Sequence, residues 1–311
     1  MLKGLAITPP VIGRISIGHI VEKDGERLPE KDDQFTLTSQ IQNRDGWILH
    51  PLDETLRKAA NGKLRAIPVR VLFNDPALNL RADYCLFDRQ TGRQLCVGNG
   101  ESCRRVSDEG MVSLPCPSPA ACQTGREGGC KPYGRLNVVI GDEDELGSFI
   151  FRTTSYNSIR TLTARLSYFH AVSGGLLACL PLELRLRGKS TALSHQVPIY
   201  YVDLTIRSGL TLERAITEAR EVDMRRRSAG FEQAALDSTA QRELARGMLE
   251  ENEEEAPALI SEFFLQPFHE KAAPLGQRRK PSTLKDRLDD KIVRESSEQM
   301  PQIEARPSAS W

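Results

Sequence analysis

Apolar and polar positions alternate along much of the first two thirds of the chain, and the period of the alternation marks the elements. Ala66 to Phe73 (AIPVRVLF) sets Ile67, Val69, Val71 and Phe73 against Pro68, Arg70 and Leu72, the two-residue repeat of a strand with one buried face. Tyr84 to Phe87 and Gln94 to Val97 read as two strands joined by Asp88-Arg89-Gln90-Thr91-Gly92, a hairpin. Leu136 to Ile140 and Ser148 to Arg152 form another pair around GDEDELG, whose acidic turn reads as a solvated loop. LLACLPLELRLR and VPIYYVDLTIR read as two long strands of the core sheet.

Three stretches change to a helical period. Pro51 opens LDETLRKAANG, with acids early, Arg57 and Lys58 late and Gly62 past the end. Thr153 to His170 places Ile159, Leu162, Leu166 and Phe169 on one face, with Ser155 or Asn157 as cap and Gly174-Gly175 as stop. Thr211 caps a third, where Leu212, Ala215, Ile216, Ala219 and Val222 make an apolar stripe. Residues 1 to 22 read as short strands with turns at Gly13 and Gly18, and GERLPEKDDQF as a polar loop. The expected fold is α+β: a mainly antiparallel sheet over residues 65–207 carrying two packed helices, a cysteine-rich loop protruding between strands, and a flexible charged C-terminal region.

The pattern weakens near residue 230, which divides an α+β core domain (1–230) from a charged, largely disordered region (231–311) with possible short helices. Basic Arg225-Arg226-Arg227, acidic EENEEEA and basic QRRK follow one another there. Ile260 to Phe268 (ISEFFLQPF) is an isolated aromatic patch, read either as a partner-binding element or as a short helix folding back on the core. Ser282 to Val293 carries Leu284, Leu288 and Ile292 on one helical face and has the same two readings.

Charge and length narrow the function classes. The 311 residues hold 42 Lys plus Arg against 42 Asp plus Glu, so no global field draws the chain to nucleic acid or membrane, and such binding needs a local patch. No run approaches the ~18 apolar residues of a membrane span, and MLKGLAITPPVIGR does not read as a signal peptide. A cytoplasmic protein is expected, in which clustered cysteines serve metal binding more often than disulfides.

The chemistry concentrates between Cys96 and Pro132. Five of the seven cysteines lie there among Gly, Pro, Ser and charged residues, too little apolar matter to order the segment by burial. Thiolate suits Zn2+, which takes four ligands in a tetrahedron. Cys116, Cys122 and Cys130 lie between strands with no competing core role and are the expected ligands; Cys96, at a strand end before Gly98-Asn99-Gly100, or Cys103 just past it, supplies the fourth. Cys85 and Cys179 sit in apolar runs and read as core thiols. Arg104, Arg105, Arg126, Lys131 and Arg135 would give the loop a basic surface able to meet phosphate, or simply solubilise it.

A closed four-thiolate site is structural, because no position is left for water or substrate. No HxE or HExxH accompanies the cysteines, and no phosphate loop, dinucleotide fingerprint or nucleophile elbow occurs. An enzyme is not expected.

IGRISIG, NDPALNLRADYCLFD, CVGNG, the CPSPAAC…GGCKPYGRLNVVI block, SFIFRTTSYNSIRTL and GGLLACLPLELRL together resemble the recombination directionality factor-like proteins of phages and integrative or conjugative elements, over roughly residues 10–207. The resemblance implies a non-enzymatic accessory protein, zinc-stabilised, that binds a site-specific recombinase (a serine integrase in phages) and biases it toward excision, with DNA met directly or through that partner. It implies Cys116, Cys122 and Cys130 as zinc ligands with Cys96 as the fourth. A nucleic-acid-binding module using the basic loop and Arg225 to Arg227 is the alternative, and a metal-dependent hydrolase a third reading.

Overall fold

In the computed structural model the described residues are 10–23, 26–43, 46–108, 110–142, 147–190, 198–244, 259–260 and 263–264. They begin with strands β1 (Val11–Lys23), β2 (Glu26–Asn43) and β3 (Gly46–Leu49), helix α1 (Pro51–Ala59), β4 (Ala66–Val71) and helix α2 (Pro76–Asn79). Strands β5 (Leu80–Phe87), β6 (Gln94–Gly98), β7 (Ser102–Ser107) and β8 (Gly110–Pro115) follow, then helices α3 (Ser118–Ala121) and α4 (Gln123–Gly128). The remainder are β9 (Lys131–Ile140), β10 (Ser148–Thr153), α5 (Tyr156–Val172), a 3-10 turn (Leu177–Cys179), β11 (Leu182–Lys189), β12 (Ile199–Ile206), α6 (Leu212–Ser228) and α7 (Gln233–Leu244).

Strand β9 has both edges taken. One pairs antiparallel with β10, from Phe149 opposite Val138 to Thr153 opposite Gly134. The other edge is divided between two strands: β5 takes the first part, Cys85 opposite Lys131 to Leu80 opposite Leu136, and β4 the end, Val71 opposite Val138 to Val69 opposite Ile140. The sheet therefore branches. One arm runs β3-β2-β1-β10-β9-β5-β6-β7-β8, and the other leaves through β4 to β11 and β12. Pairing is antiparallel in both arms except between β1 and β10.

The branch costs backbone hydrogen bonds where β4 turns away into β5, and Asn79 replaces them. Its buried side-chain oxygen accepts from Leu72 N and Phe73 N, both at 3.0 Å, while Nδ2 donates to Phe73 O at 2.7 Å. Asp75 caps α2 by accepting from Ala77 N at 2.8 Å. The stretch NDPALN thus folds as a capped turn of helix that holds β4 and β5 apart.

Helix α5 begins where Ser155 accepts from Ser158 N, and it buries Ile159, Leu162, Leu166 and Phe169, the face read from the sequence. Ser158, buried, accepts from Val202 N of β12 at 3.1 Å and fastens helix to strand. Thr211 caps α6, whose Ala215, Ala219 and Val222 are buried in the same core. Arg70 on β4 is buried among them, with Nε on Asp142 at 2.8 Å, Nη2 on Glu218 at 2.9 Å and Nη1 on the carbonyl of Cys179. Asp142 also accepts from Arg207 at 2.6 Å, so this residue of the expected acidic turn is committed to ion pairs.

Three expectations are corrected. Of the polar stretch GERLPEKDDQF, Glu26 to Phe35 lie in β2, and residues 11–23 form one long strand paired to it, His19 opposite Glu30 through Lys23 opposite Glu26; the polar part of such an arm needs only backbone donors and acceptors. The first half of LLACLPLELRLR is the 3-10 turn, not strand. The cysteine stretch is no loop: it holds β6, β7, β8, α3 and α4. The first compact unit runs to Leu265, with α7 packed near Phe73 and Leu78 through Ala240 and with Leu259 and Phe263 buried. The second unit, Gln266–Trp311, and with it the stretch Ser282 to Val293, lies outside the described residues.

Replacing Asn79 with alanine leaves two buried N–H groups unpaired and is expected to lower unfolding stability in urea by about 3 kcal/mol. The Arg207 and Arg70 guanidinium groups hold the Asp142 carboxyl down to about 2 from its ordinary 3.8, a depressed value in the folded state. Its contribution is complete above the ordinary value and is lost as pH falls toward about 2, so Asp142→Asn is expected to reduce the melting temperature at neutral pH and to flatten its decline in acid.

Candidate metal centre

Strand β6 lies between β5 and β7, with Leu86 and Arg105 both opposite Cys96 and Cys103 opposite Gly98. Paired residues project on the same side of a sheet, so Leu86, Cys96, Cys103 and Arg105 share one face. Asn99 tightens the connecting turn: its side-chain oxygen accepts from Glu101 N and Ser102 N, both at 2.9 Å. Strand β8 then returns beside β7, and Cys116 N donates to Glu101 O at 2.9 Å, which sets the third cysteine beside the turn that carries the first two.

Gly98 allows this approach. A Cβ there would lie 2.6 Å from Cys103 Cβ and 2.8 Å from Cys116 Sγ. Cys122 caps α4, its Sγ accepting from Gly125 N at 3.3 Å, and Cys130 N donates to Gly125 O at 2.8 Å after Gly129 reverses the chain at φ +79°. Gly125 is the second close approach, its absent Cβ being 3.2 Å from Cys122 Cβ and 3.3 Å from Cys130 Cβ.

All five cysteines line one cavity of about 20 Å³ that also receives Arg105. Every thiol is free of disulfide. Cys96 and Cys103 are buried with Leu86, and Cys116 and Cys130 are packed against them. The environment of each differs. Burial, reinforced by the nearby Cys96, Cys116 and Cys122, pushes the Cys130 thiol up to about 12. Burial and then Cys96 push Cys103 up to about 11, and its Sγ faces the Pro115 carbonyl at 3.8 Å. Cys122 is shifted the other way, first by the Gly125 N–H and also by Arg105, whose Nη2 donates to its Sγ at 3.4 Å. Arg105 is in turn held more firmly protonated, chiefly by Cys96.

Thiols this crowded resist joint ionisation, since each thiolate raises the cost of the next. Among the described residues no three His, Cys, Asp or Glu side chains are set in a geometry that could hold a metal ion; the thiols share a cavity without meeting at one point. The donor set and the glycine-lined cradle nevertheless fit a thiophilic cation. Such an ion would favour the thiolates that their mutual repulsion disfavours.

The five expected phosphate contacts do not form one surface. Arg105 is turned to the thiols and to Thr124 Oγ1 at 3.0 Å, Lys131 donates to Phe263 O at 3.0 Å, and Arg135 is buried on β9. Arg126 is exposed on α4, and Arg104 is half-buried on the face of β7 opposite Arg105. Cys85 and Cys179 are buried core thiols. The sequence reading missed Gly98, Gly125 and the thiol-facing role of Arg105. The spacings Cys96-x-Gly98 and Cys122-x-x-Gly125 were the available signal.

No curated protein and no solved structure matches the chain. The model of the Gp3-like family, described as recombination directionality factor-like, matches residues 12–207. That span holds the twelve-stranded sheet, α5 and all five clustered cysteines. The chain belongs to the Gp3-like family of recombination directionality factor-like proteins.

Proposed function

We propose that this chain is a zinc-stabilised accessory protein of a phage or other mobile element that acts on a site-specific recombinase by protein contact and biases it between integration and excision. Family membership across the whole sheet supports the recombination role. A bias of this kind requires tighter binding to one recombinase state than to the other, because equal affinity shifts no equilibrium. An excision assay with the element's own recombinase tests it: added protein raises excision and depresses integration. No change in either product ratio overturns the reading.

The convergence of five thiols on one cavity supports the metal. Cys96, Cys116, Cys122 and Cys130 are the proposed ligands, with Cys103, whose Sγ faces the Pro115 carbonyl at 3.8 Å, as the alternative to Cys96. When bound, zinc would supply cross-linking of β6 to the segment 116–130, with no open position for chemistry. Arg105 would offset the excess charge of four thiolates. Burial of Arg135 and Lys131's bond to Phe263 argue against a broad phosphate surface in this region.

One zinc per chain is expected by atomic emission. Serine at any of Cys96, Cys116, Cys122 or Cys130 is expected to remove it and to expose residues 96–132 to protease, whereas Cys103→Ser keeps the metal. Loss of zinc from Cys103→Ser with retention in Cys96→Ser would exchange the two residues' roles.

A further inference from the structure

Opposite the cysteine site, on the other face of β5, lies an apolar groove that the chain fills with its own C-terminal segment. Leu86 points to the cysteines, and the neighbouring Cys85 and Phe87 face away from them. Cys85 and Phe87 with Tyr133 of β9 and half-buried Val97 make the groove. Leu259 and Phe263, one helical turn apart, are buried in it at 1% and 0% exposure. Phe263 meets Phe87 edge-on at 4.8 Å and Tyr133 at 6.0 Å between ring centroids. Two cations guard the rim: Lys131 Nζ donates to Phe263 O at 3.0 Å, and the Arg89 guanidinium lies 5.0 Å over the Phe264 ring.

The groove and its occupant fall on either side of the boundary of the family match. Every groove and rim residue lies within the family match of 12–207, and the occupying segment lies outside it, beyond the fourteen residues 245–258. The segment is also acidic, with Glu253, Glu254 and Glu255 before it and Glu262 within it, in keeping with the cationic rim.

We infer that this groove is a docking site for an acidic amphipathic helix of a protein partner, bearing an aliphatic and an aromatic side chain one turn apart, and that residues 259–264 occupy it in cis as an exchangeable latch. Being part of the same chain, the latch stands at an effective concentration of ~1 mM, so a partner helix must outcompete that local supply. It does so when its concentration relative to its own Kd exceeds that of the latch relative to the latch's. The inference rests on the residues of the groove and its occupant, and needs neither the metal nor the recombinase reading.

The test uses the full-length chain and a fluorescent synthetic peptide of residues 256–268. Leu259→Ser with Phe263→Ser vacates the groove, and the variant is expected to bind the peptide at least tenfold more tightly than the wild type does. Adding Arg89→Glu and Lys131→Glu is expected to weaken that binding at least tenfold. Equal binding by wild type and variant, or no binding by a variant with wild-type circular dichroism, overturns the proposal. Should the variant not fold, hydrogen exchange on the wild type decides. Amides of 259–264 exchanging at least tenfold faster than those of β5 and β9 support a latch, and exchange in step with those strands makes the segment a fixed part of the core.

Discussion

The division of one edge of β9 between β4 and β5 is the constraint on which the rest of the structure depends. A strand edge offers one row of donors and acceptors, and two strands can share it only if the chain between them turns out of the ladder without leaving buried amides unpaired. The single side chain of Asn79 meets that condition, bonding Leu72 N, Phe73 N and Phe73 O. Beyond the branch the two arms do different work. The β4-β11-β12 arm carries α5 and α6 and most of the apolar core, and the β5-β6-β7-β8 arm carries the chemistry.

That second arm presents a different surface on each face. Successive residues of β5 point to opposite sides, so Leu86 faces the thiol cavity while Cys85 and Phe87 floor the aromatic groove. The thiol face is short of apolar material and brings groups together that repel one another when ionised. The groove face is the reverse, a cluster of rings in edge-on contact that needs an apolar occupant to exclude water. One strand thereby lies between the thiol-lined cavity and the aromatic cluster. It lies wholly within the span matched by the recombination directionality factor-like family.

Strands β4, β5, β6, β9, β10 and β12 and the capped helices α5 and α6 were legible because each buries one face, and burial imposes a two-residue or a 3.6-residue period on the residues. The polar start of β2 was illegible for the complementary reason. Its pairing is made by backbone groups that every residue carries, so Glu26 to Phe35 could look like a loop and still be a strand. The cysteines announced a site through composition. Their clustering in sequence followed from the need for many soft donors close together, but it did not say that Gly98 and Gly125 clear the space between them or that Arg105 turns inward.

By itself, then, the sequence determined the α+β class, the buried faces of the main elements, the helix caps at Ser155 and Thr211 and the clustering of five cysteines, all of which are local consequences of residue type and spacing. Tertiary structure alone decided the branch at β9, the assignment of Lys131 to a carbonyl 132 positions away and of Arg135 to the interior, and the burial of Phe263 against Phe87 and Tyr133. The physical reason is common to these cases. Each depends on which groups from distant segments compete for one edge, one cavity or one groove, and such competition leaves no period or spacing in the chain.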